Sequence, residues 1–267
     1  MMEAPRLSSA EREAFWADGY FIAQGLFNSG EVDVLRDVTE LVLRDDEGRL
    51  TRHDAEGNLT LLSLRNSLCD DVFSATVRCE RVAGSMSELL GDEVYHYHHK
   101  LMVKEPRVGG AWEWHQDYGY WYQNGCLRPD MGSCMIAITR ATRENGCVEV
   151  VKGSHLLGRI DHVEVDDQTC ADPERVDEVL KRLPVESLEL SPGDGVFFHA
   201  NVLHRSLKNT SDEARLSLIN CYNTKTNDPF KDHHHPGYSP LELLADGDVL
   251  EVGSRQLSNL RGDPHER

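Results

Sequence analysis

From residue 94 onward the chain alternates. In "VYHYHHKLMVK", Tyr95, Tyr97, His99, Leu101 and Val103 form one set, and His96, His98, Lys100, Met102 and Lys104 the other. Side chains on a strand point to opposite faces in turn, so this period of two predicts a strand with one packed and one polar face. The polar face either meets solvent or lines a polar cavity. Shorter strands are expected at 133–139, 147–151, 188–190, 196–199, 203–207 and 215–222. Glu144-Asn145-Gly146 and Pro192-Gly193-Asp194-Gly195 separate some of them, reversals of the kind that hairpins use. Many short strands bury their apolar faces as a sandwich or a barrel. The expected fold is therefore mainly β with flanking helices, an α+β arrangement.

The first ninety residues supply most of those helices. A short helix starts at Ser9 and should stop near Gly19, and Tyr20 to Phe27 reads as a short strand. Asn28 followed by Glu31 has the form of a capping box, after which Val32, Leu35, Val38, Leu41 and Val42 keep a helical stripe. Residues 43–60, with Gly48 and Gly57, read as a loop or hairpin. Phe73, Val77, Val82, Met86, Leu89 and Leu90 predict one further amphipathic helix ending at Gly91, and Val176, Val179, Leu180 and Leu183 another, inside an insertion at 153–183. No low-complexity tract, repeat or long linker interrupts the chain. Residues 1–267 are expected to form one domain: a helical part to 92, a β core over about 93–225 and a C-terminal extension from 226.

A formal charge of -18 argues against nucleic acid or an anionic membrane as partner, because phosphates must be neutralised by Lys and Arg. It leaves room for a small anion in a local basic pocket. No apolar run approaches the roughly 18 residues of a membrane span. The start, "MMEAPRLSSAEREAF", lacks the basic flank and apolar core of a signal peptide, so a cytoplasmic location is expected. Seven cysteines without CxxC spacing suggest neither a disulfide framework nor a cysteine zinc site. They read as reduced, mostly buried residues. Nothing in the sequence signals an oligomeric state.

The residues with chemistry begin in "WEWHQDY", which reads as a strand. His115 and Asp117, two apart, would share one of its faces. Taken alone, that spacing fits a satisfied surface pair more readily than a binding site. A second histidine, His204, shares a strand face with Ser206, and Arg215 opens the next strand eleven residues past His204. Two histidines and a carboxylate can occupy one face of an octahedral iron(II) and leave the other face open. An arginine beside a hydroxyl is a natural carboxylate receptor, because its planar fork donates two parallel hydrogen bonds.

The order His115-x-Asp117, His204-x-Ser206, Arg215 resembles the phytanoyl-CoA dioxygenase superfamily of iron(II)/2-oxoglutarate oxygenases, and the ectoine and free-proline hydroxylase branches within it. The likeness spans roughly residues 90–225 and is carried also by "RENGCVEVVKGSH", "PGDGVFF", "NTSDEAR" and Trp121, four residues after Asp117. It implies a double-stranded β-helix, the jelly-roll or cupin-like barrel. It implies iron(II) on His115, Asp117 and His204, with O2 and 2-oxoglutarate as co-substrates. Arg215 and Ser206 would hold the distal carboxylate of 2-oxoglutarate. Lys100 falls at a further co-substrate contact, where relatives carry a different residue, and could instead serve an anionic substrate. Met135 falls where some relatives have tryptophan.

The activity so implied is hydroxylation of an unactivated C–H bond with release of succinate and CO2. Asp117 favours this outcome, since halogenating relatives carry a small residue there. His98 and Lys100, with the aromatic cluster around Trp121, suit a small polar or zwitterionic metabolite such as an amino acid derivative, so His98 and Trp121 are candidate pocket residues. Alternatives are an acyl-CoA or lipid-like substrate, for which no basic cluster is evident, a zinc-dependent hydrolase, and a non-catalytic binder of metal and 2-oxoglutarate. Trp112 and Trp114 read as packing residues, and His199 as a packed or exposed strand histidine. His233-His234-His235 reads as a C-terminal loop, because three adjacent residues on an extended chain cannot all face one ion.

Overall fold

The computed structural model describes residues 6–45, 50–54, 57–165 and 168–262. In chain order the elements are α1 (Ser9–Asp18), β1 (Tyr20–Ala23), α2 (Ser29–Asp45), β2 (Leu50–His53), β3 (Leu59–Arg65), α3 (Val72–Arg78), α4 (Ser85–Leu90), β4 (Val94–Lys104), β5 (Trp112–His115), α5 (Asp117–Trp121), β6 (Met131–Ala137), β7 (Val148–Val151), β8 (His162–Val165), β9 (Gln168–Ala171), α6 (Pro173–Leu180), β10 (Val185–Leu188), β11 (Gly195–His199), β12 (His204–Ser206), β13 (Arg215–Thr224) and α7 (Asp248–Arg261).

The strands form a seven-stranded sheet, ordered β1-β11-β6-β13-β4-β3-β2, and a four-stranded sheet, ordered β10-β7-β12-β5, both antiparallel throughout. β8 and β9 pair separately as a hairpin. The α+β expectation holds, and the closed barrel is corrected to two sheets. Among the described residues no strand of one sheet pairs with a strand of the other; the isolated bridges of Leu59 with Gly109 and Ala141 with Leu190 involve the flanking connections. Three strands of the larger sheet, β1, β2 and β3, come from the segment read as largely helical.

One face of the larger sheet carries the main core. Phe197, Leu101, Val103, Leu216 and Leu218 pack there against Val32, Leu35 and Val38 of α2 and Phe73, Val77 and Met86 of the following helices, all buried. Each such side chain contributes about 1.5–3 kcal/mol by leaving water. The capping box forms: Asn28 N donates to Glu31 Oε2 at 2.8 Å and Glu31 N to Asn28 Oδ1 at 3.1 Å. Gly19 ends α1 at φ 90°, a left-handed conformation that glycine adopts without a Cβ penalty.

The single helix expected over 73–90 is broken. Cys79 is extended (φ -66°, ψ 142°) because the returning chain pairs with it: Glu80 N donates to Leu244 O and Leu244 N to Arg78 O. The C-terminal extension also contains a helix the sequence did not announce, α7. Gly253 lets it sit against α2 and α3, since a Cβ there would lie 2.4 Å from Val34 and 2.8 Å from Val72. The insertion likewise holds the β8–β9 hairpin beside its expected helix. The region 43–60 contains the β2–β3 hairpin, with 46–49 and 55–56 outside the described residues. Six of the seven cysteines are buried, Cys69 alone exposed.

Candidate active site between the two sheets

His115 ends β5 and stands opposite His204 of β12 in the smaller sheet. Their rings lie 4.1 Å apart between centroids. Asp117 does not share their strand. The strand stops at His115, Gln116 is extended (φ -113°, ψ 134°), and Asp117 is the first residue of α5. A strand-to-helix turn, not period-two alternation, therefore returns the carboxylate to the histidines. One donor atom from each of His115, Asp117 and His204 lies within 4.8 Å of the others, and all three residues are buried.

Gln116 builds that turn. It is fully buried, and its side chain donates to Gly158 O and Asn201 O, each at 2.8 Å, and accepts from Ile160 N at 2.7 Å. Its backbone N–H donates to His162 Nε2 at 3.0 Å, while Tyr118 N donates to Ala200 O. Two separated segments, 158–162 and 200–201, are tied to the turn between the two ligand candidates. In the sequence, only its place in His-Gln-Asp marks it.

Both histidines are oriented from behind. His115 Nδ1 lies 2.7 Å from Glu113 O and His204 Nδ1 2.9 Å from Val202 O. A carbonyl can only accept, so each Nδ1 carries the proton and each Nε2 keeps its lone pair for a cation. Burial pushes both imidazoles below the ordinary histidine range, His115 further lowered by His204, and His204 partly held up by Asp117. Ser133 Oγ donates to Asp117 Oδ2 at 3.2 Å. Two neutral imidazoles and a carboxylate fit a divalent cation of the iron(II) type.

Arg215 opens β13, 3% exposed, and has no ion-pair partner among the described residues. Its Nη1 donates to Gly146 O at 2.6 Å, its Nε is buried without an acceptor, and burial pushes its pKa down to about 10. Two residues on, the Ser217 hydroxyl is also buried without a partner. A buried guanidinium lacking an anion is costly, and a carboxylate is its natural complement. Ser206 lines the same cavity from β12. Opposite Arg215 on the ladder, fully buried Lys104 donates to Gly110 O and Leu207 O at 2.5 Å and to Ser206 O at 3.4 Å. Neither Lys104 nor Ser217 stood out in the sequence, although Ser217 follows Arg215 by the strand period.

The cavity has a volume of about 800 Å³ and receives the triad and Arg205 from the smaller sheet side, and Lys100, Met102, Met135 and Arg215 from the larger. His98 and Trp121, the expected pocket residues, line it, as does Trp112. Trp114 is instead buried in a separate core under Arg205. The simple alternation of β4 is corrected by a bulge. Cys221 pairs with His98 and Tyr222 with His96, so Tyr97 is the extra residue and the faces exchange there. His96 joins the His99 face, its Nε2 3.0 Å from His99 Nδ1, while Tyr97 and His98 both contact Trp121. Both faces of β4 are covered, only Lys100 remaining half-buried.

His235, read as part of a loop, does lie in one, yet its ring stacks on His98 at 4.4 Å and 19°, with Nδ1 2.7 Å from Asn66 Oδ1. His199 is a packed histidine beside Phe15, Trp16 and His155. No helix among the described residues is long and apolar enough to cross a membrane.

The chain is 28% identical over 261 residues to L-proline trans-4-hydroxylase of Streptomyces griseoviridis, covering 92% of this chain and 95% of that protein. It is 24% identical over 241 residues to the ectoine dioxygenase of Bordetella bronchiseptica, covering 84% and 78%. The crystal structure of EctD from S. alaskensis with 2-oxoglutarate and 5-hydroxyectoine superposes with a TM-score of 0.74 at 22% identity, over 92% of this chain and 90% of that one, which places the two sheets in the same fold. Residues 15–217 match the phytanoyl-CoA dioxygenase (PhyH) family profile. With its His-Asp-His cluster in place, the chain belongs to the phytanoyl-CoA dioxygenase (PhyH) family of iron(II)- and 2-oxoglutarate-dependent dioxygenases.

Proposed function

We propose that residues 1–267 form one dioxygenase domain, a double-stranded β-helix in which the two sheets are the two halves, and that it hydroxylates a small polar metabolite such as an amino acid derivative. The observation that carries this reading is the convergence of His115, Asp117 and His204 within 4.8 Å on the same cavity as a buried Arg215 that has no ion-pair partner among the described residues.

In this reading His115 and His204 hold iron(II) through Nε2, and Asp117 through its carboxylate. Arg215 anchors the distal carboxylate of 2-oxoglutarate, with Ser206 and Ser217 as flanking hydroxyls. Iron(II) with 2-oxoglutarate and O2, when bound, supplies the oxidising power to hydroxylate an unactivated C–H bond, releasing succinate and CO2. The chain's own residues orient and shield. Glu113 O and Val202 O fix the imidazole tautomers, and Gln116 holds the ligand turn rigid. The walls of Trp121, Met135 and Ile219 exclude water from the reacting carbon.

A small substrate is supported by the relatives, one acting on L-proline and the other on ectoine. Against an acyl-CoA, Arg205, which could meet a phosphate, is already engaged by Glu149 at 2.7 Å. A hydrolase would leave Arg215 without a role. The test is iron-dependent succinate formation from 2-oxoglutarate with pooled amino acids and related metabolites. Turnover should vanish in Asp117→Ala, and Arg215→Ala should need at least about 30-fold more 2-oxoglutarate, as for losing a buried charged hydrogen-bond partner. Absence of 2-oxoglutarate binding by the metal-loaded wild type would sink the reading.

A further inference from the structure

Among the described residues the cavity holds one unpaired cation that the proposed chemistry does not use. Lys100 lies mid-β4 on the cavity face, paired in register with Ile219, and its ammonium has no hydrogen-bond or ion-pair partner among the described residues. Lys104 and Arg215 face each other four residues further along, roughly 13 Å of strand away. The other lining cations are satisfied or assigned: Arg205 pairs with Glu149 and stacks over Trp114, and Arg215 awaits the co-substrate. Among the described residues two carboxylates line the cavity. Asp117 belongs to the triad, and Glu164, itself exposed on the β8–β9 hairpin, accepts from Thr169 Oγ1 at 2.6 Å.

With Glu164 set aside as solvent-exposed, the charges of the loaded site balance without Lys100. Iron(II) and Arg215 bring three positive charges, and Asp117 with doubly ionised 2-oxoglutarate brings three negative ones. One positive charge is left facing the cavity, and its natural complement is a carboxylate group on the ligand. Lys100 also has company suited to a carboxylate. His98, two residues earlier and 3% exposed, keeps Nδ1 buried without a partner. Trp121 lies edge-on to it at 5.7 Å and lines the cavity with Tyr120, giving an aromatic wall for a carbon skeleton. Lys100, His98, Trp121 and the triad all line the same cavity.

We propose that Lys100 and His98 form a carboxylate subsite for the hydroxylated substrate, so that the enzyme takes a small molecule bearing a single free carboxylate, its carbon skeleton against Trp121 and its reacting C–H toward the triad. The inference rests on the dioxygenase reading above and narrows its substrate class. It assigns Lys100 to the substrate and not to the co-substrate.

The experiment is calorimetric binding on the 267-residue chain loaded with Ni(II), which binds without turnover. 2-Oxoglutarate is titrated first into wild type, Lys100→Met and Lys100→Arg. Affinities within about threefold are expected. A tenfold or greater loss in Lys100→Met would place Lys100 on the co-substrate and overturn the inference, leaving the dioxygenase reading intact; no binding by the wild type would remove both. With 2-oxoglutarate saturating, the common L-amino acids are then titrated, each beside its amide. At least one acid should bind, with its amide weaker by 30-fold or more. Lys100→Met and His98→Phe should each weaken that acid at least tenfold, and Lys100→Arg should retain most of it. Equal binding of acid and amide, or binding of none of the acids, overturns the proposal.

Discussion

Lys104 and Arg215 stand opposite each other across the β4–β13 ladder, two buried cations with no ion-pair partner for either among the described residues. The arrangement is tolerable because the Lys104 ammonium is enclosed by carbonyls of Gly110, Ser206 and Leu207, which join the larger sheet to the segments flanking β5 and β12. Its burial, and then Arg215, push its pKa well down. Lys104 is thus a staple between the sheets at the level of the proposed carboxylate anchor.

Replacing Lys104 by Met keeps the stem and strands those carbonyls. Each buried unsatisfied group costs about 1–3 kcal/mol, so Lys104→Met should lose at least about 2 kcal/mol in urea unfolding. The displaced Ser206 should also weaken 2-oxoglutarate binding. Unchanged stability would show that the carbonyls find water instead.

Gln116 supplies the second test. Gln116→Leu preserves much of the volume and removes three hydrogen bonds to Gly158, Asn201 and Ile160. The turn between His115 and Asp117 then loses its anchor. Stability should fall by at least about 2 kcal/mol, and Ni(II) affinity by roughly 10- to 100-fold, the usual cost of losing a group that orients metal ligands. A metal titration that matched wild type would mean that the backbone alone sets the turn.

Gly119 matters through close approach. A Cβ at this position in α5 would lie 2.0 Å from His162 Cε1, and His162 in turn accepts from Gln116 N and lies 2.9 Å from Ile160 O. Gly119→Ala should therefore cost about 1–3 kcal/mol by overpacking. Because the cost arises at one contact, Gly119→Ala combined with His162→Ala should destabilise less than the sum of the two single variants. Strict additivity in thermal or urea melts would refute the contact.

The ligand candidates were legible because they combine distinctive side chains with a fixed order along the chain, a local property. The capping box at Asn28 and the stop at Gly19 were legible for the same reason. The misread features depend on distant partners. Nothing near Cys79 indicates that Leu244 will pair there and interrupt a helix, and nothing near Tyr97 indicates that β13 will meet β4 with a bulge. His235 reaches the cavity through Asn66, 169 residues away. The strand expected through Asp117 failed differently: its alternation was real up to His115, and the bonds that bend the chain at Gln116 come from residues 158–162 and 200–201.

His96 and His99 give a pH dependence whose sign follows from their burial. Their rings share one hydrogen bond, Nε2 to Nδ1 at 3.0 Å, which needs one donor and one acceptor and so is natural to two neutral imidazoles. Burial pushes both pKa values down to about 3, with His99 adding to the shift of His96 and Arg65 to that of His99. In the unfolded chain both titrate near the ordinary value of about 6.5. Below that pH the unfolded state binds protons that the folded state refuses, so the stability they contribute is present above about 6.5 and is lost as pH falls toward 3. The slope approaches about 1.4 kcal/mol per pH unit for each independent histidine, and the shared hydrogen bond couples the two. A His96→Gln/His99→Gln double variant should therefore start less stable at pH 7.5 yet lose less stability than wild type between pH 6.5 and 5, by about 1–3 kcal/mol, in urea unfolding followed by circular dichroism. Parallel losses in the two proteins would mean that the pair already carries a proton in the folded state, which the geometry of a single neutral hydrogen bond inside a covered strand face does not favour.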